Sequence, residues 1–240
     1  MKLAVMSCIR PDLTEEMEKL GYKTVGVKPY SCADTENAES SHADMQALAL
    51  PEGDIFLIRS NDSLNEKITN AVSDKSRIKY TADVIRDFSY PECVRLNAAV
   101  VGRSVIANLK YIDTNLAERL KTLGYRLIHV DQGYAKCSVC VVGENALITS
   151  DRSITVAARA NGIDTLEISP GGIGLCERYG GFIGGASVLL DETTLAFFGD
   201  ITAHADYPQI AAFCRSHYVD IVSLFERPLF DIGGIVIIDC

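Results

Sequence analysis

The sequence has no apolar run approaching the ~18 residues that a membrane-spanning helix needs, and it has no cluster of Lys or Arg. The first absence leads us to expect no membrane partner. The second, together with a net charge of −9, argues against a general nucleic-acid surface, which needs a basic footprint, so no DNA partner is expected. The opening MKLAVMSCIRPD carries an apolar stretch too short for a secretory leader. The eight Cys are scattered, and without a leader they read as reduced thiols of a cytoplasmic protein, mostly small buried hydrophobes.

Several motifs are missing as well. There is no Walker loop, no serine elbow and no H-E-x-x-H. Cys137 and Cys140 form a C-x-x-C, but no second pair exists to complete a four-thiolate site. The glycines of SPGGIGLCERYGGFIGG lack G-x-G-x-x-G spacing and lead into a strand, so they make no dinucleotide fingerprint. No cofactor is expected, and no residue is assigned to a metal. His129 with Asp131 has no evident third ligand. His204 with Asp206 reads as part of a helix start, and His217 as a cation at the end of the same helix.

What remains is an ordinary globular balance, 48% hydrophobic and 23% charged, able to bury a core without staples. It is organised by a repeat. LTEEMEKLGYKTVGV (13–27) and LAERLKTLGYRLIHV (116–130) both place Leu-Gly-Tyr between an amphipathic helix and an apolar strand. Gly21 and Gly124 sit where a helix ends in left-handed geometry. ITVAARANGIDTLEI (154–168) is a looser copy with Gly162. Ahead of each helix an apolar hairpin recurs, in NAAVVGRSVIANLKYID (97–113), SVCVVGENALITSD (138–151) and ASVLLDETTLAFFGD (186–200). Asp113, Asp151 and Asp206 lie near the helix N-caps.

The unit is strand–turn–strand–helix–strand. A fourth copy begins at HADMQALALPEGDIFLI (42–58). A fifth is split, with GGIVIIDC (233–240) supplying its first strand and the N-terminus the rest. The expected fold is α/β: a five-fold pseudosymmetric propeller of ββαβ units over one domain, 1–240, the last unit closed by both termini. Closing a ring in this way protects sheet edges. An open doubly wound sheet needs simple strand–helix alternation, which the hairpins do not fit.

These repeats, with VVGENALITSD, VLLDETTLAFFGD and the split terminal unit, resemble the pentein superfamily, the α/β-propeller of guanidino-group-modifying enzymes. The resemblance implies attack on a guanidinium carbon by a Cys in the last unit, helped by a His and carboxylates. Carried over residue by residue, it fails at both positions. The nucleophile position falls in PLFDIGGIVII, which has Gly233 and Gly234 and no Cys. The His position falls in GGFIGGASVLL, which has no His. The chain therefore resembles an uncharacterised branch of that superfamily lacking the usual hydrolase machinery.

The first strand of each unit should line the centre, with alternate residues sharing a face. One parity then gathers His42, Asp44, Arg95, Asn97, Tyr134, Lys136 and Ser138, opposite a wall of glycine, alanine and aromatics. The other parity, with Cys137, should pack under the helices, and Cys140 should point into the deep funnel. Arg95 and Lys136 favour a carboxylate or phosphate, and Asp44 can pair with either or take an amine. A self-satisfied charged plug is the other reading of the same residues. Polar mouth loops surround this funnel, with Asp87, Glu177 and Arg178 among their charges and 31–41 as a flap.

The leading expectation is a non-hydrolytic protein binding a small polar, anionic or amino-acid-like ligand through Asp44, Arg95, Asn97, Tyr134, Lys136 and Ser138. A guanidino-modifying hydrolase or transferase with a displaced nucleophile, Cys93 served by His42, stands as the alternative. A protein-interaction scaffold is the third, and homo-oligomerisation stays open.

Overall fold

A computed structural model describes residues 2–29, 38–86, 88–176 and 179–240. Most of the segment read as a flap, residues 31–37, lies outside them, as do Asp87, Glu177 and Arg178. The described elements run as follows. The chain opens with β1 (Lys2–Ser7), α1 (Pro11–Lys19) and β2 (Lys23–Val27). A short helix α2 (Ala43–Gln46) leads into β3 (Ala47–Ala49), β4 (Ile55–Leu57), α3 (Asp62–Ala71) and β5 (Ile78–Tyr80). Then come β6 (Ala99–Val101), β7 (Ser104–Ala107), α4 (Thr114–Thr122) and β8 (Arg126–His129). A second short helix, α5 (Ala135–Ser138), leads into β9 (Cys140–Gly143), β10 (Ala146–Thr149), α6 (Arg152–Ala160) and β11 (Asp164–Glu167). After β12 (Ile173–Gly174) come β13 (Ser187–Asp191), β14 (Thr194–Phe197), α7 (Tyr207–Ser216) and β15 (Asp220–Ser223). The chain ends with β16 (Leu229–Phe230) and β17 (Ile235–Asp239).

The fold is mixed α/β, and the sheets repeat one pattern. Each three-stranded sheet joins an antiparallel hairpin to a third strand that returns parallel after a helix: β3–β4–β5, β6–β7–β8, β9–β10–β11 and β13–β14–β15. In the fifth such sheet the hairpin partner comes from the other end of the chain. β17 runs antiparallel to β1, pairing Val236 with Val5, and β1 runs parallel to β2. A two-stranded sheet, β12–β16, ties the 169–181 and 225–230 loops together. Among the described residues no helix is long and apolar enough to cross a membrane.

The local causes are visible in the sequence. Asp113 Oδ1 accepts from Asn115 N and Leu116 N, and Asp151 Oδ1 from Ser153 N and Ile154 N, so each carboxylate starts a helix. Asp206 does not: its carboxylate turns to Ser169 N, and its own N–H donates to His204 Nδ1. The repeated Leu-Gly-Tyr works as expected at Gly124 (φ +76°), where the helix ends in left-handed backbone. Apolar stripes such as Leu116 and Leu120 of α4, or Ile154 and Ala158 of α6, face the sheets. His217 caps the end of α7 and meets Asp164 Oδ2 at 2.9 Å.

Asp113 also reaches beyond its helix, its Oδ2 accepting from Ala82 N. The carboxylate is fully buried, so removal strands three N–H groups. Asp113→Ala is expected to cost about 2 kcal/mol, the upper end for a helix cap. Chemical denaturation would register this as a lower midpoint with an unchanged slope, and Asp113→Asn should lose less.

Two departures from the sequence reading matter for the site. Residues 43–46 and 135–138 are helical turns, and Glu92–Val94 is a 3-10 turn; none is the start of a first strand. Strand alternation therefore does not govern these positions, and the parity that placed Cys137 under the helices fails.

Candidate functional site

The first strands of the sheets lie side by side: β17 beside β3, β6 beside β9, β9 beside β13 and β13 beside β17. With the turns around them they line a cavity of about 470 Å³. Its walls are aliphatic, including Leu48, Val100, Val141 and Val188. At the hairpin end Glu52, Arg103, Glu144 and Asp239 form a charged rim. At the other end, where the strands begin, Asp44 and Lys136 close it.

Asp44 and Lys136 sit in a buried polar cluster. The short helices α2 and α5 carry it, and Asn97 holds them in register. Asn97 Oδ1 accepts from the backbone N–H of Lys136 (2.8 Å) and of Cys137 (3.4 Å). Its Nδ2 donates toward Cys137 Sγ at 3.3 Å. Cys137 Sγ in turn donates to Asp44 Oδ2 at 3.0 Å. His42, at the N-cap of α2, brings a ring nitrogen within 4.8 Å of both that thiol and the Asp44 carboxylate. Both His42 ring nitrogens, Asp44 Oδ1 and Ser138 Oγ are buried without a partner among the described residues. Lys136 Nζ makes no direct hydrogen bond or ion pair among them, and lies beside Gly234.

Asp231 is buried close enough for its charge to act on Asp44 and Cys137. Its Oδ2 accepts from Phe182 N (2.9 Å) and its Oδ1 from Gly233 N (2.8 Å). The glycines around it are required by close approach. A Cβ on Gly185 would fall 1.8 Å from Asp231 Oδ1, and one on Gly184 2.3 Å from the Val139 carbonyl. Gly233 adopts φ +76° with its Cα against the His42 side chain.

Burial dominates the electrostatics here. It raises Asp44 to about 7, against the opposing pull of Lys136 and the Cys137 thiol. It raises Asp231 to about 6, against the Phe182 and Gly233 amides and Lys136. It lowers His42 to about 4. It drives the Cys137 thiol well above its usual range, with Asp44 and Asp231 adding to the effect. At neutral pH the imidazole is thus neutral and the thiol protonated.

Of the residues singled out from sequence, Asp44, Asn97 and Lys136 come together, and His42 joins them. Ser138 is buried on the same short helix. Tyr134 stands on the loop side, its ring between Tyr90 (5.8 Å) and Phe182 (6.3 Å). Arg95 does not join: it caps a 3-10 turn and pairs with Glu92 at 2.6 Å, away from the cavity lining. Cys93 packs in the apolar cluster with Phe88, Val94 and Leu96. The thiol grouped with His42 and Asp44 is Cys137. Cys140 lies on β9, packed with Ile148, Ile183 and Ala186, and burial raises it to about 11. His129 Nδ1 accepts from Leu109 N, with Asp131 at 3.7 Å.

Sequence reasoning missed Cys137 and Asp231. Asp231 did carry a signal, as a lone carboxylate among apolar residues in LFDIGGI, facing the glycine pairs of GGFIGG. Cys137 was hidden by the wrong assumption of a strand.

Known structures share this fold at low identity. DDAH from Pseudomonas aeruginosa, a cysteine-to-serine mutant complexed with citrulline, matches with a TM-score of 0.57 at 10% identity, covering 99% of this chain and 97% of that one. Agmatine deiminase from C. jejuni, a cysteine-to-serine mutant with substrate bound, matches with a TM-score of 0.53 at 12% identity, covering 93% and 87%. These are members of the pentein superfamily, so the chain has the fold of the guanidino-group-modifying enzymes. No curated protein matches it by sequence. The profile described as "Family of unknown function (DUF6873)" matches residues 4–236, and the chain belongs to that family.

Proposed function

We propose that the protein is a single-domain, five-bladed α/β-propeller that binds a small amino-acid-like ligand in its central cavity without hydrolysing it. One observation carries this reading: the cavity runs between aliphatic walls to Lys136 and Asp44, and Asp44 Oδ1 is buried without a partner among the described residues. A lysine ammonium suits a carboxylate, Asp44 suits an amine, and the walls suit an apolar stem. The Pseudomonas aeruginosa neighbour is complexed with citrulline, an amino acid. Reduced thiols fit a cytoplasmic protein.

The non-hydrolytic part rests on the residues at the superfamily's catalytic positions. Gly233 and Gly234 stand at the nucleophile position, and a side chain on Gly233 would collide with His42. The thiol beside His42, Cys137, is held protonated by burial, whereas a nucleophile needs its thiolate.

The test is thermal shift with a panel of L-amino acids, citrulline and arginine included, and simple carboxylates. A ligand at 100 times its Kd should stabilise by about 2.7 kcal/mol, a rise of about 5–10 °C for a chain this size. Lys136→Met should erase the rise, and Arg95→Ala should keep it. No response across the panel, or an equal response from Lys136→Met, would overturn the reading. The closeness of Cys137, Asp44 and His42 favours one second reading, a hydrolase with a displaced nucleophile. Ammonia, citrulline or ornithine release from arginine-like substrates that is lost in Cys137→Ser would establish it instead.

A further inference from the structure

The cluster beneath the cavity has an unusual donor set. His42, Asp44 and Cys137 offer nitrogen, oxygen and sulfur, mutually within 4.8 Å, from side chains no more than 2% exposed. Buried polar groups are ordinarily hydrogen-bonded. Yet both ring nitrogens of His42 and Asp44 Oδ1 have no partner among the described residues. An imidazole buried with both nitrogens idle, facing a carboxylate and a thiol, is the arrangement a cation would satisfy.

We infer that His42, Asp44 and Cys137 bind one divalent transition-metal ion of the zinc class. The inference does not rest on the amino-acid reading of the cavity. Imidazole with thiolate favours Zn²⁺ or Co²⁺ over Mg²⁺ and Ca²⁺, which take oxygen ligands. Bond lengths of about 2.3 Å to sulfur and about 2.0 Å to oxygen place those atoms about 3.5 Å apart in a tetrahedral shell. Cys137 Sγ and Asp44 Oδ2 now stand 3.0 Å apart, so the pair must open by about half an ångström.

The proton balance is simple. The Cys137 S–H bond breaks as the sulfur–metal bond forms, and its proton leaves to solvent. Any proton on Asp44 leaves with it. His42 gives a lone pair and stays neutral. Two anions then cancel the charge of the ion, which removes the burden of a buried carboxylate. Asn97 already stands as the outer support, its Nδ2 3.3 Å from the sulfur. Three protein ligands leave a fourth position for water or another donor, as in open zinc sites.

The experiment uses the whole chain, stripped with a chelator and titrated with Co²⁺ alone. One ion per chain should bind with a thiolate-to-cobalt charge-transfer band. Zn²⁺ should displace it one for one and raise the melting temperature. Cys137→Ser should lose the band, whereas Cys93→Ser, Cys140→Ser and Lys136→Met should keep it. If Cys137→Ser does not fold, His42→Gln decides the matter with an affinity at least 100-fold lower. Lys136→Met therefore separates this site from the cavity ligand. No Co²⁺ bound by the folded wild-type chain, a band surviving Cys137→Ser, or an affinity unchanged in His42→Gln overturns the inference.

Discussion

Gly185→Ala is expected to lower the melting temperature by about 10 °C, with Gly143→Ala shifting it hardly at all. The added methyl would stand 1.8 Å from Asp231 Oδ1 and 2.3 Å from its Cγ, far inside any van der Waals contact. The carboxylate cannot simply swing away, because the Phe182 and Gly233 amides hold it by both oxygens. Gly185 cannot retreat either, since its N–H donates to Cys137 O and its carbonyl accepts from Ile232 and Gly234. Overpacking costs about 1–3 kcal/mol, and each buried amide left unpaired adds about 1–3 kcal/mol. A sum near 4 kcal/mol converts to roughly 10 °C for a chain of this size. Gly143 has open space around its Cα and ordinary backbone geometry. Differential scanning calorimetry of both variants is the check, and a Gly185→Ala that melts with the wild type would mean that Asp231 is not seated as described.

The protein, freed of metal by a chelator, is expected to be more stable at pH 4.5 than at pH 7.5. Asp231 has a folded pKa of about 6 against 3.8 for the free side chain, because burial disfavours its charge. The folded state therefore binds its proton more tightly than the unfolded chain does. Stability falls as pH rises between those two values, and the full penalty is present above about 6. The separation of about two units corresponds to about 3 kcal/mol, or about 8 °C. Asp44, raised to about 7, acts in the same direction. His42 acts oppositely in the same window, because burial lowers it from 6.5 to about 4, but the two raised carboxylates together outweigh it. Carboxylates held low by hydrogen bonds, such as Asp151 with Ser153 and Ile154, also act oppositely, at more acid pH. Melting temperatures across this range should slope downward, and Asp231→Asn should flatten the slope. A wild-type curve that rises with pH, or an Asp231→Asn curve of unchanged slope, would refute the assignment.

Much of the architecture was legible because it rests on local rules. A carboxylate before a helix, a glycine after it and an apolar hairpin ahead of it are short-range signals, and Asp113, Asp151 and Gly124 act as such rules require. The split unit was legible too, since GGIVIIDC and KLAVMSC each needed a partner strand, and β17 pairs with β1. Asp206 shows the limit of the same reasoning. Its position before α7 is right, but a tertiary neighbour, Ser169 N, takes its carboxylate.

The site was legible only in part. Asp44, Asn97 and Lys136 were grouped by aligning repeats, which needs only the unit to be right, and the structure brings them close together. Arg95 was misplaced and Cys137 discarded because both judgements needed the local backbone. Period-two alternation holds along a strand, and residues 43–46, 92–94 and 135–138 are helical turns instead. In a turn of helix, neighbours such as Lys136 and Cys137 both reach the same buried cluster.

The sequence by itself determined the unit, its repetition and the starts of α4 and α6 at Asp113 and Asp151, all set by residues close along the chain. Tertiary structure alone decided that Asp231 should stand against Gly185, that Arg95 should turn to Glu92, and that His42, Asp44 and Cys137 should share one buried space. Those outcomes depend on how strands from distant repeats converge and on which polar groups lose water there. Neither is encoded in the spacing of neighbouring residues.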